Sequence, residues 1–544
     1  MSKTVNVLMV FPRFTSTSFW SLKTTADVIG KVWLSPPLGL ITVAALLPAH
    51  WRIKLVDCNV EDLHDADVRA ADVVMTGGMI PQRAACLALI DRVHALGRPV
   101  VVGGPDVTSS PTVFEGAEFR ITGEAEAVLA DFVAAWERGE RTGRFDAEKY
   151  TVDVTRIPVP RYDLLKIDRY SSISVQFSRG CPFTCEFCDI IELFGRVPRA
   201  KNPEQVLAEL EALYRLGHRG IVDFVDDNLI GNKKAVRVFL ARLVAWQQAH
   251  GFPFEFFTEA SINLADDEDF LTLMKAAGFN LVFVGIETPD PATLVAARKK
   301  QNTRRDLADS VARINRAGIQ VHAGFIIGFD SEPASIAADM IACIEQAAIP
   351  VCMIGLLTAL PNTQLSRRLI TEGRLDPVTD LDFAAATAHD GTSDQCTAGL
   401  NFRTLRPRRE ILKAYREVLD RIYRPEAYFK RVEIMAIRLG GKTPAPRLEL
   451  SRLRGDLRAV FGLVRQLTVR QPEHRRFFIR TLARVIVNNP SAYRFAIGLM
   501  VPYFDLAPLA RQVIQWLDAE IATLAPDVAG PVEHVEGLKA VRAS

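Results

Sequence analysis

The chain opens on short apolar runs separated by helical patterns, and that alternation predicts its architecture. From Asn6 come VNVLMVFP, a helical stretch from about Leu38 to Leu47, RIKLVD, DVVMTGG, PVVVGGP and EFRITGE. Strands alternating with helices build a doubly wound parallel sheet, so residues 1–139 are expected to form a first α/β domain. Residues 140–170, with Pro158 and Pro160, read as a linker strapped to the surface. A second βα series begins at SISVQFSRG, with apolar runs at 173–178, 220–227, 254–261, 281–288, 321–330 and 351–360. Six such units without a GxGxxG fingerprint predict a partial (βα)6 barrel over 171–370, not a second dinucleotide fold. Across 371–544 helical, basic and aromatic segments take over, as in RREILKAYREVLDRIYRPEAYFKRV, and a mainly helical C-terminal domain is expected.

A chain of 544 residues suits roughly three or four folding units. Its net charge of +2 hides an asymmetry: residues 401–544 carry 26 Lys and Arg against 14 Asp and Glu, while the first 400 carry 40 against 50. A basic, aromatic tail is compatible with contact at an anionic bilayer surface; a nucleic-acid reader motif is missing. No stretch is long and apolar enough for a membrane span, and MSKTVNVLMVFPRF lacks a cleavage site, so a cytoplasmic protein is expected, able to meet the inner face of the membrane. Five of the eight cysteines are scattered, which argues against a disulfide framework.

In doubly wound sheets ligands lie beyond the carboxyl ends of the strands. Those ends carry Thr76-Gly77-Gly78, Gly103-Gly104 and Gly123-Glu124, where bare backbone permits close approach of a large flat ligand. In the barrel series the corresponding ends hold Asp226-Asp227-Asn228, Glu259, Glu287 and Asp330.

The other three cysteines cluster as Cys181-Pro-Phe-Thr-Cys185-Glu-Phe-Cys188, directly after an apolar strand and Arg179-Gly180. Three thiolates on one loop can ligate three corners of a cubane cluster and leave the fourth iron open. A closed zinc site would need a fourth ligand, and His218 is thirty residues beyond Cys188.

CxxxCxxC at the end of a barrel's first strand resembles the signature of the radical S-adenosylmethionine (SAM) superfamily. The resemblance implies a 4Fe-4S cluster on Cys181, Cys185 and Cys188, SAM on the open iron, and a 5′-deoxyadenosyl radical that removes hydrogen from substrate. It implies that Phe187 packs near adenine, that Asp226-Asp227-Asn228 stands where other members have Gly-Gly-Glu, that Glu259 and Glu287 accept hydrogen bonds from SAM, and that the Gly324 to Gly328 stretch packs on adenine.

Ahead of such a barrel, the first domain resembles a Rossmann-like cobalamin-binding module, with Pro36-Pro37-Leu38-Gly39-Leu40, Val102-Gly103-Gly104-Pro105 and Gly123-Glu124-Ala125-Glu126 in the matching places. Asp-x-His-x-x-Gly is missing, so cobalamin is expected to bind without a protein histidine below cobalt, the alternative being a module that has lost the cofactor. The order of the three domains, with CEFCDIIELFGRVPR, VDDNLIGNKKA, TEASINLA and ALPNTQL, resembles the subgroup of cobalamin-dependent radical SAM enzymes that includes the hopanoid C-2 methylases. It implies methyl transfer to an unactivated carbon of a small-molecule or lipid substrate, with a hopanoid or related isoprenoid lipid as the leading choice and a flavodoxin or ferredoxin as reductant. Two alternatives stand beside it: a cobalamin-dependent cyclase or oxidase of a tetrapyrrole or natural product, and a non-catalytic iron-sulfur sensor.

Overall fold

A computed structural model describes residues 4–14, 18–19, 21–375, 399–441 and 450–524, and of 450–457 the backbone alone; Cys396 lies outside this set. The first sheet contains β1 (Asn6–Phe11), β2 (Arg52–Asp57), β3 (Val73–Gly77), β4 (Val100–Gly103), β5 (Phe119–Thr122) and β6 (Gly143–Asp146). Their order is β2-β1-β3-β4-β5-β6, every pairing parallel. Both faces of the central strands are covered, which is why they read as unbroken apolar runs. Val10, Val74 and Val102 pack with Leu89 and Ile90 of helix Arg83–Ala95, while Met9, Val73 and Val101 pack with Trp51 and Phe132 on the opposite face. The sixth strand lies beyond Gly139, in the segment expected to be linker. At the sheet edge its GRFD alternates partly buried with exposed positions, so no apolar run marks it.

The second sheet contains β7 (Ser172–Val175), β8 (Gly220–Phe224), β9 (Phe254–Glu259), β10 (Phe279–Glu287), β11 (Gln320–Ile327) and β12 (Cys352–Leu356). It runs β12-β11-β10-β9-β8-β7, all parallel, with β7 and β12 as open edges: the partial barrel that the apolar runs predict. Alternation sets its two sides. Val321, Ala323, Phe325 and Ile327 are buried under helices, whereas His322, Gly324 and Ile326 on the other face of β11 keep partial exposure.

Helices α1 (Lys23–Val28) and α2 (Leu38–Leu46) stand near the start of the chain, and beyond the barrel come α3 (Arg408–Ile422), α4 (Pro425–Arg438), α5 (Leu450–Arg465), α6 (Arg475–Asn488), α7 (Tyr493–Met500) and α8 (Tyr503–Thr523). The C-terminal helices pack on the barrel through α3, which lies against helix Ile336–Ala347 and α8. They also grip α1. Asp505 of α8 accepts the backbone N–H of Thr24 at 2.8 Å and of Thr25 at 2.7 Å. Gly462 of α5 sits so close to Val28 that a Cβ there would lie 2.3 Å from the Val28 carbonyl oxygen.

The carboxyl edges of the two sheets face each other. Arg179, after β7, donates to Glu124 at 2.9 Å and Glu126 at 2.7 Å, both after β5. Arg199 reaches the other Glu124 oxygen at 2.9 Å. Asn362, beyond β12, donates to the Ser109 carbonyl at 2.9 Å. Helix Pro105–Ser109, which follows β4, lies against the short helix Ile190–Leu193, which follows the cysteine loop.

Candidate functional site

The cysteine loop starts where β7 ends and is pinned by its neighbour strand. Asp226, fully buried after β8, accepts from Phe177 N at 2.9 Å, Ser178 N at 2.5 Å and Ser178 Oγ at 2.6 Å. The carboxylate thus holds the backbone that enters the loop, using three of its acceptor sites. Next to it Asp227 accepts from Gly180 N at 3.1 Å. Gly180 is required here, since its φ is 96° and a Cβ would meet the Gly195 carbonyl oxygen at 2.8 Å. Cys181 N donates to that same carbonyl.

Cys185 is buried, and Cys181 and Cys188 are half-buried. Burial pushes the Cys181 and Cys188 thiols up, and the proximity of the thiols to one another adds to this. Among the described residues no three His, Cys, Asp or Glu side chains converge as a site for a single metal ion. Three separate iron atoms of one cluster suit this donor set better than one zinc ion.

Amide donors from two other elements reach the sulfurs. Asn228 Nδ2 lies 3.8 Å from Cys181 Sγ, and the same side chain ties β8 to β9 by donating to Ser261 Oγ at 3.2 Å and accepting from Ser261 N at 3.2 Å. Gln301 Nε2 lies 3.6 Å from Cys185 Sγ. Lys299 Nζ sits 2.6 Å from Glu287 Oε1 and 5.9 Å from the centre of the Phe187 ring. Burial opposes the Lys299 charge, but Glu287 and the Cys185 and Cys188 thiols hold its pKa above the ordinary lysine range. Glu287 itself is expected on SAM, yet its nearer oxygen is paired to Lys299. It adopts a left-handed φ of 66° where β10 slips register against β11. Such strain in a non-glycine residue is characteristic of functional sites. Asn302 stabilises it by donating to the Gly285 and Ile286 carbonyls at 3.0 and 2.9 Å. Lys299, Gln301 and Asn302 are not foreseen from sequence, because RKKQN has no periodicity or spacing that sets it apart from a solvated turn.

Glu259 at the end of β9 is surrounded by protein while its side chain stays accessible, so it borders an internal space. Its pKa is pushed up to about 8 by burial and then by the Asp227 carboxylate. Asp227 is raised to about 7, by burial first and then by Asp226, against the hydrogen bond from Gly180. Gly324 faces the Phe283 ring on this side of the barrel. Gly328 does not: a Cβ there would lie 2.6 Å from the Leu400 side chain, and its N–H is held by Glu332. Phe187 meets Phe329 edge to face at 5.8 Å. Asp330 is withdrawn by Arg374 at 2.6 Å.

At the carboxyl edge of the first sheet the expected ligands divide. Thr76 donates its hydroxyl to the Val10 carbonyl at 2.8 Å, and Glu124 is buried between Arg179 and Arg199. One ties strands together, the other ties domains together. Gly77 and Gly103 pack backbone on backbone, since a Cβ on Gly77 would lie 2.1 Å from the Gly103 carbonyl oxygen. Gly123, at a φ of 76°, is closed in by Ala147. Gly78 and Gly104 remain, partly exposed and exposed, at the ends of β3 and β4 beside the switch point between β1 and β3, with the Gln82 side chain against Gly78. That cradle fits a flat macrocycle. Of the described histidines in this domain, His50 is paired to Glu137 and His94 to Glu118, and His64 lies in the loop between β2 and helix Asp65–Ala70.

Residues 175–342 match the model of the radical SAM superfamily, and 363–519 match a domain of unknown function, DUF4070. An uncharacterized methyltransferase of Synechocystis sp. is 44% identical over 497 residues, covering 91% of this chain and 90% of its own. The hopanoid C-2 methylase of Rhodopseudomonas palustris is 35% identical over 490 residues, 88% of this chain and 89% of its own. In fold, the chain is similar to the cobalamin-dependent SAM radical enzyme OxsB, with a TM-score of 0.58 at 14% identity over 96% of this chain and 81% of that one. The chain therefore belongs to the radical SAM superfamily, in the group of methyltransferases that contains these two relatives. A radical SAM methyltransferase is an enzyme, which removes the sensor reading. Among the described residues no helix is long and apolar enough to cross a membrane.

Proposed function

We propose that this enzyme is a cobalamin-dependent radical SAM C-methyltransferase acting on an unactivated carbon of a hopanoid or related isoprenoid lipid. The observation that carries the reading is the opposition of the two carboxyl edges, with the Gly78–Gly104 cradle on one side and the cysteine loop on the other, locked by Arg179 and Glu124. Both whole-chain relatives are methyltransferases by name, which favours methyl transfer over cyclisation; the substrate class follows the hopanoid C-2 methylase.

When bound, the cluster and SAM would supply a hydrogen-abstracting radical, and cobalamin would supply the methyl group. Cys181, Cys185 and Cys188 would ligate the cluster, with Asp226 fixing the loop and Asn228, Gln301 and Lys299 directing donors and positive charge at the sulfurs. Glu259, and Asp227 beside its bond from Gly180 N, would accept from SAM's amine and ribose hydroxyls. Gly324 and Phe187 would flank the adenine, and Gly78 and Gly104 would carry the corrin edge. Phe257, Phe283 and Ile326 contribute apolar side chains to the inner face of the barrel, which also carries Asp223, Glu255 and His322. The electron source is a flavodoxin or ferredoxin.

The test is incubation of the reconstituted enzyme with reductant, methyl-labelled SAM and lipid extract. Label in a polycyclic isoprenoid is expected. Formation of 5′-deoxyadenosine with no labelled product would overturn the methylase reading.

A further inference from the structure

Helices α5 and α6 follow one another through the turn at 466–474, and each buries one side in the protein. On α5 the inward side carries Gly462 and Leu463 against α1, and on α6 it carries Phe478, Thr481 and Val485 against α4. The outward sides are not the polar surfaces expected of helices packed this way. On α5, Val460, Phe461 and Val464 are exposed, Phe461 by 72%. On α6, Ile479, Ile486 and Val487 are exposed, Val487 by 81%.

Arginines are interleaved with these apolar residues. Residues 458–494 contain eight arginines and a single carboxylate, Glu473. Arg476, Ile479, Arg480, Ala483 and Val487 recur at three- and four-residue spacing and so share the outward strip of α6. Among the described residues Arg484 is held by Glu433 at 3.0 Å, whereas Arg465, Arg470, Arg476 and Arg480 have no carboxylate within ion-pair distance.

A strip of apolar side chains flanked by unneutralised guanidinium groups is complementary to a surface that is apolar within and anionic at its face. Apolar side chains can enter the acyl boundary while arginine stems reach back to headgroup phosphates. Double-stranded nucleic acid would match the charge but not the exposed Phe461 and Val487. We propose that the outward faces of α5 and α6 dock this enzyme on a bilayer containing anionic phospholipid. The inference does not rest on the substrate reading, because it concerns a surface separate from the cysteine loop and the cradle.

Flotation of the full-length protein with vesicles tests it. Vesicles of phosphatidylcholine with phosphatidylglycerol are expected to carry the protein, and vesicles of phosphatidylcholine alone to leave it behind. Each arginine near such a surface contributes roughly a fivefold factor, so Arg476→Glu with Arg480→Glu should weaken binding at least about tenfold. Phe461→Ser with Val487→Ser should weaken it without altering the net charge. All four side chains are on the surface, so melting temperature should hold in both variants. Binding unchanged in either variant, no binding to anionic vesicles, or preferential binding to duplex DNA would overturn the proposal. So would a lipid-independent dimer that the same variants dissolve, since a second copy would then cover this face.

Discussion

Lys299 and Glu287 form a buried ion pair, 2.6 Å from nitrogen to oxygen, between β10 and the cysteine loop. The pair sits where the lysine's charge bears on Cys185 and Cys188 while its partner holds a strained backbone. Lys299→Met should leave Glu287 unpaired and cost about 3–5 kcal/mol of stability. Adding Glu287→Gln should restore much of that stability. The double variant removes no net charge but removes a dipole whose positive end bears on Cys185 and Cys188, so the reconstituted cluster should have a more negative midpoint potential than wild type. Potentiometry followed by electron paramagnetic resonance separates this from a structural role; an unchanged potential would refute the electrostatic one.

Asp226 offers a second test, since it holds the backbone entering the cysteine loop without itself being one of the three thiols. Asp226→Ala strands two backbone N–H groups and the Ser178 hydroxyl, each buried unpaired donor costing about 1–3 kcal/mol. Iron content after reconstitution should fall sharply although all three cysteines remain. Full iron loading would show that the loop is held by other means.

Glu259 predicts a pH dependence. Its folded pKa of about 8 stands above the ordinary 4.5, so the folded state keeps a proton that the unfolded state has released. The favourable contribution is complete below pH 4.5 and is lost as pH rises through about 8. Melting temperature of the cofactor-free protein should therefore decline from pH 5 to roughly 8, and Glu259→Gln should flatten that decline. A parallel shift of the whole curve would assign the slope to other groups.

Gly77→Ala forces a methyl group against the Gly103 carbonyl and should destabilise the first domain by about 1–3 kcal/mol or more through overpacking. Gly39→Ala is its control: nothing lies within 4 Å of a Cβ in α2, so stability should be unchanged or higher. Urea titration of both variants checks the contrast.

The strands were legible wherever both faces are buried, as in VVMTG of β3, and the cysteine loop was legible because its spacing has few other uses. β6 was not, since an edge strand with alternating partial exposure has nothing apolar to announce it. Thr76 and Glu124 sit where a ligand would, but their oxygens are claimed by Val10 and by two arginines distant in sequence. Local pattern cannot reveal that competition. Lys299 and Gln301 were hidden for the opposite reason: their chemistry is ordinary, and only the fold of β10 and the turn after it brings them under the cysteines.

The grip of Asp505 on α1 spans 480 residues. At typical synthesis rates of roughly 5–20 residues per second, the segment around Thr24 and Thr25 waits on the order of a minute before its cap exists. The two sheets can assemble as they emerge from the ribosome, but α1 can be fastened only once α8 has been made. Removal of the last helices would therefore also be felt at the beginning of the chain.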